Sequence, residues 1–271
     1  MKYIFGYPLA FIRAIIIFGS MIICMFLYGI VTLFIKHNDT KAFWLRRTWL
    51  RFIAIPVLNI KIEKRGNPIE DAALYISNHR SFADPIVICR YLDAFVIAKA
   101  EVADYPIINK GAELTGIVYV KREDKNSRSS TREKMIELIT NHKNVLVYPE
   151  GTVGTNAMTL PFKTGTFHEA ASHGFSVVPI AIEYRDPCDM WTVPNFIAQY
   201  FHQFSKWRTS VKLRFGPNIK NSDPEKLVQE SNNWINENLK DMQKGWSKVF
   251  LVFLPASRYN TAILTATPFS T

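Results

Sequence analysis

The 271-residue chain carries 33 Lys and Arg residues against 23 Asp and Glu residues, so its formal net charge is +10, and its mean hydropathy is zero. A hydrophobic content of 48% excludes a disordered chain, and the zero mean hydropathy excludes a polytopic membrane protein. Three cysteines, Cys24, Cys89 and Cys188, are too few and too scattered for a disulfide framework or a zinc site. The positive charge favours an anionic partner: nucleic acid, an anionic membrane surface or a phosphorylated substrate.

The first feature along the chain is an apolar segment, residues 14–35, which has 22 residues and no formal charge. As a helix it would be about 33 Å long, enough to cross the hydrocarbon layer of a membrane. A cleavable signal peptide has a shorter apolar run and a small-residue cleavage site, whereas this run ends in Ile35-Lys36-His37. The other alternative, a buried helix of a soluble core, is disfavoured because the segment is apolar all round. The segment therefore predicts membrane insertion.

The arrangement in the membrane has two interpretations. Residues 3–12 are also apolar and are separated from the longer run by Arg13, so a helical hairpin in one leaflet is an alternative to a single span. More basic residues follow the run than precede it, and the positive-inside rule then places the bulk of the chain on the cytoplasmic side. The residues that follow are Lys36, Lys41, Arg46, Arg47 and Arg51; those that precede are Lys2 and Arg13.

Residues 42–56, AFWLRRTWLRFIAIP, form an amphipathic pattern if they are helical. An apolar stripe would lie opposite Arg47 and Arg51. Its members are Leu45, Trp49, Phe52 and Ile53. A basic amphipathic helix with Trp suits the headgroup region of a membrane, and an ordinary helix facing the protein core is the alternative. We assign residues 1–58 to a membrane anchor that includes this interfacial segment.

From about residue 60, short apolar runs alternate with helical patterns. The alternation predicts an α/β fold, a mostly parallel sheet covered by flanking helices, over residues 59–257, with a polar tail at 258–271. Capping-box spacing from Ser130 to Glu133 and the pair Asp223-Pro224 indicate two helix starts. The predicted strands are Ala73–Ser77, Phe95–Lys99, Ile117–Val120, Val145–Tyr148, Val177–Glu183 and Val211–Phe215.

The segment NHRSFADP, residues 78–85, directly follows the first of these strands, and ligands of open α/β sheets bind at such strand ends. Asp84-Pro85 predicts the N-cap of a helix, so His79 would lie in the preceding turn and reach the Asp84 carboxylate. A His–Asp pair is a general-base unit, because the carboxylate orients the imidazole and stabilises its protonated form. The alternative is that Asp84 is only a cap and His79 a loop residue. Since no nucleophile motif accompanies the pair, His79 would activate the hydroxyl of a bound substrate.

A second strand end carries two cations. The segment GIVYVKR, residues 116–122, ends in Lys121 and Arg122. An arginine at this position can bind a phosphate through two parallel hydrogen bonds. The alternative is a solvated basic loop, because residues 121–134 contain six basic and three acidic side chains.

Two further segments complete the set. In VLVYPEGT, residues 145–152, Glu150 offers an acceptor for a hydroxyl or a partner for Arg122, Gly151 allows close backbone approach, and Thr152 offers a donor. A simple Pro-Gly turn is the alternative. The segment VPIAI, residues 178–182, is apolar, and Pro179 either helps to wall a hydrophobic pocket or lies in a buried strand as an edge proline.

Together and in this order, the four segments resemble the glycerolipid acyltransferase family, typified by lysophosphatidic acid acyltransferases. The resemblance covers residues 73–183. The matching positions are Asn78, His79 and Asp84 of N-H-x4-D; Gly116, Tyr119 and Arg122 of G-x-x-aromatic-x-x-R; Tyr148 to Thr152 of aromatic-P-E-G-T; and Val178-Pro179. Family members often carry Arg directly after E-G-T, whereas this chain has Val153.

The resemblance implies transfer of an acyl group from a thioester of coenzyme A or acyl carrier protein to a lysophospholipid hydroxyl, at a membrane. His79 and Asp84 would be catalytic. Lys121, Arg122, Glu150, Gly151 and Thr152 would bind the substrate, and neither a metal nor a redox cofactor is expected. The expected partners are the membrane lipids, the lysophospholipid acceptor and the thioester donor, carried on coenzyme A or on acyl carrier protein. Nucleic acid is not an expected partner. The rival interpretations are a membrane-anchored lipid-binding module, a basic nucleic-acid binder, and a hydrolase or phospholipid transacylase.

Overall fold

The computed structural model describes residues 2–100, 116–121, 123–193 and 195–250. A seven-stranded sheet forms its centre, with the strand order β1-β7-β6-β2-β5-β3-β4. Every neighbouring pair is parallel except β6 and β7, which are antiparallel. The strands are β1 Ile60–Arg65, β2 Ala73–Ser77, β3 Ala94–Lys99, β4 Ile117–Val120, β5 Asn144–Val147, β6 Ser176–Tyr184 and β7 Thr209–Phe215. The predicted α/β class with a mostly parallel sheet is confirmed.

Helices precede the sheet and cover both of its faces. The helices are α1 Lys2–Phe34, α2 Asp39–Trp49, α3 Ile55–Val57, α4 Asp84–Ile88, α5 Lys125–Thr140, α6 Gly165–His173, α7 Phe196–Phe204 and α8 Pro224–Phe250. A π-helical turn, Leu50–Ala54, joins α2 to α3, and a short 3-10 turn covers Pro187–Asp189.

The sequence located six of the seven strands to within two residues at each end. It missed β1, an edge strand in which Ile60 is buried but the later residues alternate between half-buried and exposed, so its apolar signal is weak. The predicted helix start at Ser130 is wrong: α5 begins five residues earlier, where the Asp124 side chain accepts a hydrogen bond from the Asn126 amide. The predicted start of α8 is confirmed, because Asp223 accepts hydrogen bonds from the Glu225 and Lys226 amides.

Helix α1 is continuous from Lys2 to Phe34, so of the two alternatives the structure has the single helix and not a hairpin broken at Arg13. The Arg13 side chain turns inward instead. Its guanidinium donates hydrogen bonds to the carbonyl oxygens at the end of α7, and the arginine is only 4% exposed. The acceptors are Phe204 at 2.9 Å, Lys206 at 2.7 Å and Trp207 at 2.8 Å. A charge that seemed to interrupt the apolar run therefore satisfies free carbonyl groups at the C-terminus of α7.

By length and composition, α1 is long and apolar enough to cross a membrane over Gly6–Phe34. Only 6% of its most apolar stretch is buried within the protein. Its exposed side chains are large and apolar, and they include Phe11, Ile15, Ile23, Phe26 and Leu33. The helix is thus compatible with membrane association, as the sequence indicates.

The amphipathic stripe expected over residues 42–56 is not formed. The π-helical turn changes the helical register from Leu50 onward, and within it Leu50 and Ala54 are buried whereas Phe52 is 66% exposed. The basic side chains of α2 also have protein partners, since Arg46 donates to the Ala94 carbonyl oxygen at 3.0 Å and lies 4.4 Å from the ring centre of Phe43. Arg47 pairs with Asp93. Two of the arginines expected to attract lipid are therefore bound to the α/β domain.

The sheet separates two hydrophobic cores. Strand β6, buried at every position, contributes Val178 and Ile180 to one core and Val177 and Ala181 to the other. Its neighbours are β7 and β2, so the expectation that Pro179 lies on an edge strand is wrong. Pro179 lies on the same face as Val177, because side chains alternate along a strand.

Pro179 packs closely against residue 216 because that residue is a glycine and has no side chain. A Cβ there would lie 2.7 Å from Pro179 Cγ and 3.0 Å from Cε2 of Trp234, on α8. We predict that Gly216→Ala lowers the free energy of unfolding by about 1–3 kcal/mol through overpacking, as measured by denaturant titration in mild detergent. In the control Gly165→Ala, the new Cβ meets no atom closer than 3.8 Å, so it should change stability by less than about 0.5 kcal/mol. Equal stabilities of the two variants would contradict this packing.

Candidate active site

The candidate site lies at one edge of the sheet. Strands β2, β4, β5 and β6 run in the same direction, so their carboxyl ends meet at this edge. His79 follows β2, Glu150 follows β5 and Tyr184 ends β6. This is the location at which ligands bind in open α/β sheets.

Asn78 fixes the point at which the chain leaves β2. Its side-chain amide donates to the Ile182 carbonyl oxygen at 2.9 Å and accepts from the Ile182 N–H at 2.9 Å. These two bonds continue the pairing of β2 with β6 by one position, with a side chain in place of the backbone. Since Asn78 is fully buried, they also satisfy an amide that would be costly to leave unpaired. His79 is thereby held directly above the strand end.

The structure brings His79 and Asp84 together, with Nδ1 of His79 2.7 Å from Oδ2 of Asp84. Asp84 is fully buried, whereas the His79 side chain is 18% exposed. Asp84 does not cap α4 as expected: its Oδ2 accepts from the preceding amides of Arg80 at 2.7 Å and Ser81 at 3.0 Å. The carboxylate therefore closes the turn that carries His79. With Nδ1 bound to Asp84, Nε2 is the ring nitrogen left to accept a proton from a ligand.

Two tyrosines complete the surroundings of the pair. Tyr184 donates to Oδ1 of Asp84 at 2.8 Å, and the Tyr148 ring stacks on the His79 imidazole with ring centres 4.2 Å apart. Burial, with the neighbouring Asp84 charge, raises the pKa of both phenols well above 10, so both stay neutral. The sequence analysis did not predict a role for Tyr184. The only sequence feature that could have indicated one is its position at the end of the strand that contains Val178 and Pro179.

The Glu150 carboxylate, which we expect from the sequence to be an acceptor for a substrate hydroxyl, is bonded to backbone amides in the structure. Its Oε1 accepts from the His79 amide at 2.9 Å and its Oε2 from the Leu160 amide at 2.9 Å, and the residue is 5% exposed. The Gly154 amide in turn donates to the His79 carbonyl oxygen at 2.8 Å. Burial raises the pKa of Glu150, and these backbone hydrogen bonds partly offset the effect. Its carboxylate therefore holds the turn of His79 and is not left open for a substrate hydroxyl.

The other residues that are expected to bind the substrate lie at more than one strand end. Gly151 has a φ of +71°, which favours glycine, and Thr152 beside it is exposed. Lys121 is exposed at the end of β4, three strand positions from β2 and so about 14 Å away. Arg122 lies outside the described residues. Pro179 packs on Gly216 and Trp234, on the face of the sheet opposite Tyr184, so its contacts are structural.

Arg80 is a buried charge whose role the sequence did not indicate. Its guanidinium pairs with Glu183 at 3.2 Å and donates to the carbonyl oxygen of Gly154 at 2.9 Å, and it also reaches Asn156 and Ala157. From α8, Gln243 donates to Glu183 at 2.8 Å. The only sequence feature that could have indicated a role for Arg80 is its position next to His79. Its hydrogen-bond partners lie more than seventy residues away in the chain, so no local pattern contains them.

A His–Asp pair at the carboxyl edge of a parallel sheet, with the aspartate buried and the imidazole partly exposed, is an arrangement that can act as a general base on a bound hydroxyl. Near the pair, the serine hydroxyl of Ser81 is bound to Gln203 at 3.0 Å, and Cys89 is buried with its pKa raised by burial. Neither is arranged as a nucleophile for His79. Within the described ranges, no group of three His, Cys, Asp or Glu residues is placed to hold a metal ion.

The chain is similar to known acyltransferases. A model of the Acyltransferase family matches residues 59–183. The chain is 32% identical to the chloroplastic 1-acyl-sn-glycerol-3-phosphate acyltransferase LPAT1 of Arabidopsis thaliana over 155 residues, which cover 56% of this chain and 44% of the relative. It is 27% identical to a lyso-ornithine lipid O-acyltransferase of Rhodobacter capsulatus over 139 residues, 50% of each chain. The chain thus spans about half the length of the curated relatives it matches.

The fold has a solved counterpart. The crystal structure of the 1-acyl-sn-glycerophosphate acyltransferase PlsC from Thermotoga maritima matches with a TM-score of 0.62 and 18% identity, over 94% of this chain and all of that chain. This likeness concerns the fold. The family match and the named relatives confirm the resemblance seen in the sequence: residues 59–183 are similar to the Acyltransferase family.

The buried pair of Arg80 and Glu183 gives a test of how this site is held. We predict that Arg80→Met lowers the free energy of unfolding by about 3–5 kcal/mol, because Glu183 then remains buried without its counter-charge. The double variant Arg80→Met/Glu183→Met should be more stable than the single variant, as urea denaturation would measure. A single variant as stable as the wild type would contradict the assignment.

Proposed function

We propose that this protein transfers a fatty acyl group from an acyl thioester to the free hydroxyl of a lysophospholipid. The observation that carries the proposal is the His79–Asp84 pair, in which a fully buried carboxylate with four donors orients an imidazole that remains partly exposed. The family of residues 59–183 supports the same reaction class.

In the reaction, Nε2 of His79 accepts the proton of the acceptor hydroxyl while the hydroxyl oxygen attacks the thioester carbonyl carbon. Asp84 stabilises the positive charge that the imidazole then carries. As the tetrahedral intermediate collapses, the carbon–sulfur bond breaks, and the leaving thiolate receives the proton from His79. The products are a new ester and a free thiol, without a covalent acyl-enzyme.

The acceptor is proposed to be lysophosphatidic acid, which would yield phosphatidic acid, because relatives are named as 1-acyl-sn-glycerol-3-phosphate acyltransferases. Other relatives are named for lyso-ornithine lipid and lysophosphatidylcholine, so another lyso-lipid is the second candidate. Arg122 and Lys121 are proposed to bind the acceptor phosphate, and Gly151 and Thr152 to position the head group. The donor is acyl-CoA or acyl carrier protein.

We also propose that the enzyme is bound to a membrane through α1, with the catalytic domain on the cytoplasmic side. The exposed apolar surface of α1 supports the anchor, and the excess of basic residues after it supports the orientation. The bonds from Arg13 to the end of α7 join the anchor to the catalytic domain.

For the general base, we predict that His79→Ala lowers the rate of acyl transfer by about 10²- to 10⁴-fold while the protein stays folded. Incorporation of radiolabelled acyl groups from acyl-CoA into a panel of lysophosphatidate, lysophosphatidylcholine and lyso-ornithine lipid measures both the rate and the acceptor. His168→Ala, at an exposed position on α6, is the control and should retain the wild-type rate. Near-normal turnover by His79→Ala would overturn the assignment. Acyl release to water, or transfer from a phospholipid without a thioester, would instead indicate a hydrolase or a transacylase.

Tyr184 is a positioning residue, because it acts through Asp84. We predict that Tyr184→Phe lowers kcat about tenfold with little change in KM, since one buried carboxylate oxygen loses its hydroxyl donor. Tyr200→Phe removes a comparable hydroxyl, bonded to the Ala10 carbonyl oxygen at 3.2 Å, and should leave kcat unchanged. The prediction fails if the two variants have the same kcat.

A further inference from the structure

Lys163 lies across the turn that follows β5. Its backbone amide donates to the Pro149 carbonyl oxygen at 2.9 Å, which places the residue alongside the turn. A Cβ at Gly151 would lie 2.7 Å from the Lys163 ammonium nitrogen and 2.8 Å from Cε. The end of the lysine therefore occupies the space that the missing side chain of Gly151 leaves. The φ of +71° at residue 151 favours glycine.

Three of the cations in the described part of the chain approach residues 150–165, and they differ in their partners. Arg80 is buried and bound to Glu183 and to carbonyl oxygens. Arg132 lies 3.9 Å from the Cβ position of Gly165 and pairs with Glu169 at 3.3 Å. Lys163 is exposed, and among the described residues no carboxylate oxygen lies within 4.0 Å of its ammonium group. The turn itself, Glu-Gly-Thr-Val-Gly, supplies no cation.

Glu150 does not neutralise Lys163. Its two carboxylate oxygens accept the His79 and Leu160 amides, and the positive charge of Arg80 acts on it. An exposed ammonium group that lies beside a glycine turn and has no carboxylate partner among the described residues is a good binding group for an anion. The same turn holds His79, so an anion bound there would lie beside the general base.

We propose that Lys163 binds a phosphate group of a substrate at the Gly151–Thr152 turn. The proposal rests on the proposed function, in which two substrates carry phosphate: the lysophosphatidate acceptor and the coenzyme A donor. The Lys163 ammonium donates to the phosphate oxygens. The exposed residue Thr152 directly follows Gly151 in the chain and offers a hydroxyl at the same turn. Lys163 would then be a binding residue, with an effect on affinity and little effect on the chemical step.

The test uses the full-length protein in detergent and does not depend on turnover. Dissociation constants are measured for two unreactive probes, lysophosphatidate without its 2-hydroxyl group and free coenzyme A. Lys163→Gln should weaken one of the two complexes about tenfold or more, because a charge-assisted hydrogen bond is lost, and Lys163→Arg should restore most of the affinity. The control Lys240→Gln removes a charge from the exposed face of α8 and should change neither constant.

The probe that is affected identifies the source of the phosphate. Weaker binding of the lysophosphatidate analogue assigns Lys163 to the acceptor, and weaker binding of coenzyme A assigns it to the donor. Unchanged constants for both probes with a folded Lys163→Gln protein overturn the proposal, whether or not the wild type transfers acyl groups. If the constants depend on Lys163 but the wild type transfers no acyl group to any acceptor, the phosphate site stands and the proposed function fails.

Kinetics gives a second readout. If the acceptor is the source, Lys163→Gln raises KM for lysophosphatidate about tenfold but not KM for a phosphate-free lyso-lipid, and kcat changes less than about threefold. If the donor is the source, the rise appears in KM for acyl-CoA and disappears with acyl-pantetheine, which lacks the coenzyme phosphates. A fall in kcat with both KM values unchanged contradicts a binding role and indicates that Lys163 only supports the turn.

Discussion

The buried carboxylate of Asp84 is the interaction on which the site depends. It has no exposed surface, yet it carries charge, and such a group is stable only when its oxygens are well bonded. Two backbone amides, the His79 imidazole and the Tyr184 hydroxyl provide these bonds. They come from the end of β2, the turn before α4 and the end of β6. The carboxylate therefore fixes these elements relative to each other, and the orientation of His79 is one result.

Two further buried charges extend this arrangement to the rest of the sheet. Glu150 binds the His79 turn from the β5 side, and Arg80 binds Glu183 at the end of β6 and the carbonyl groups of residues 154–157. Most of these partners are backbone groups, which cannot change with the side-chain sequence. The motifs around His79 and Glu150 are thus a single bonded unit, although about seventy residues separate them.

The parts that could be predicted from the sequence were those with local signals. Strands β2, β5 and β6 are runs of buried apolar residues, and the spacing of His79 and Asp84 fits one strand-to-helix turn. The roles of Glu150 and Arg80 depend on partners that only the fold brings near, so no local pattern contains them. The π-helical turn at Leu50–Ala54 could not be predicted from the sequence either. One extra residue in a helical turn changes which side chains are buried, but it does not change the amino-acid composition.

The net charge of +10 has a more specific meaning once the partners of the basic side chains are known. Arg13, Arg46 and Arg80 are used within the protein, where they bind carbonyl oxygens, and Arg47 pairs with Asp93. Among the described residues, Lys121 and Lys163 are exposed cations at the carboxyl edge of the sheet, and both are proposed to bind an anionic substrate.

The most direct test of the account is the rate of acyl transfer from radiolabelled acyl-CoA to lysophosphatidate by Asp84→Asn, with thermal unfolding measured in parallel. An asparagine keeps the size of the side chain but removes the charge that stabilises the protonated imidazole. The account predicts a folded protein whose rate falls by about 10²-fold or more. A folded Asp84→Asn protein with a rate within about threefold of the wild type would contradict it.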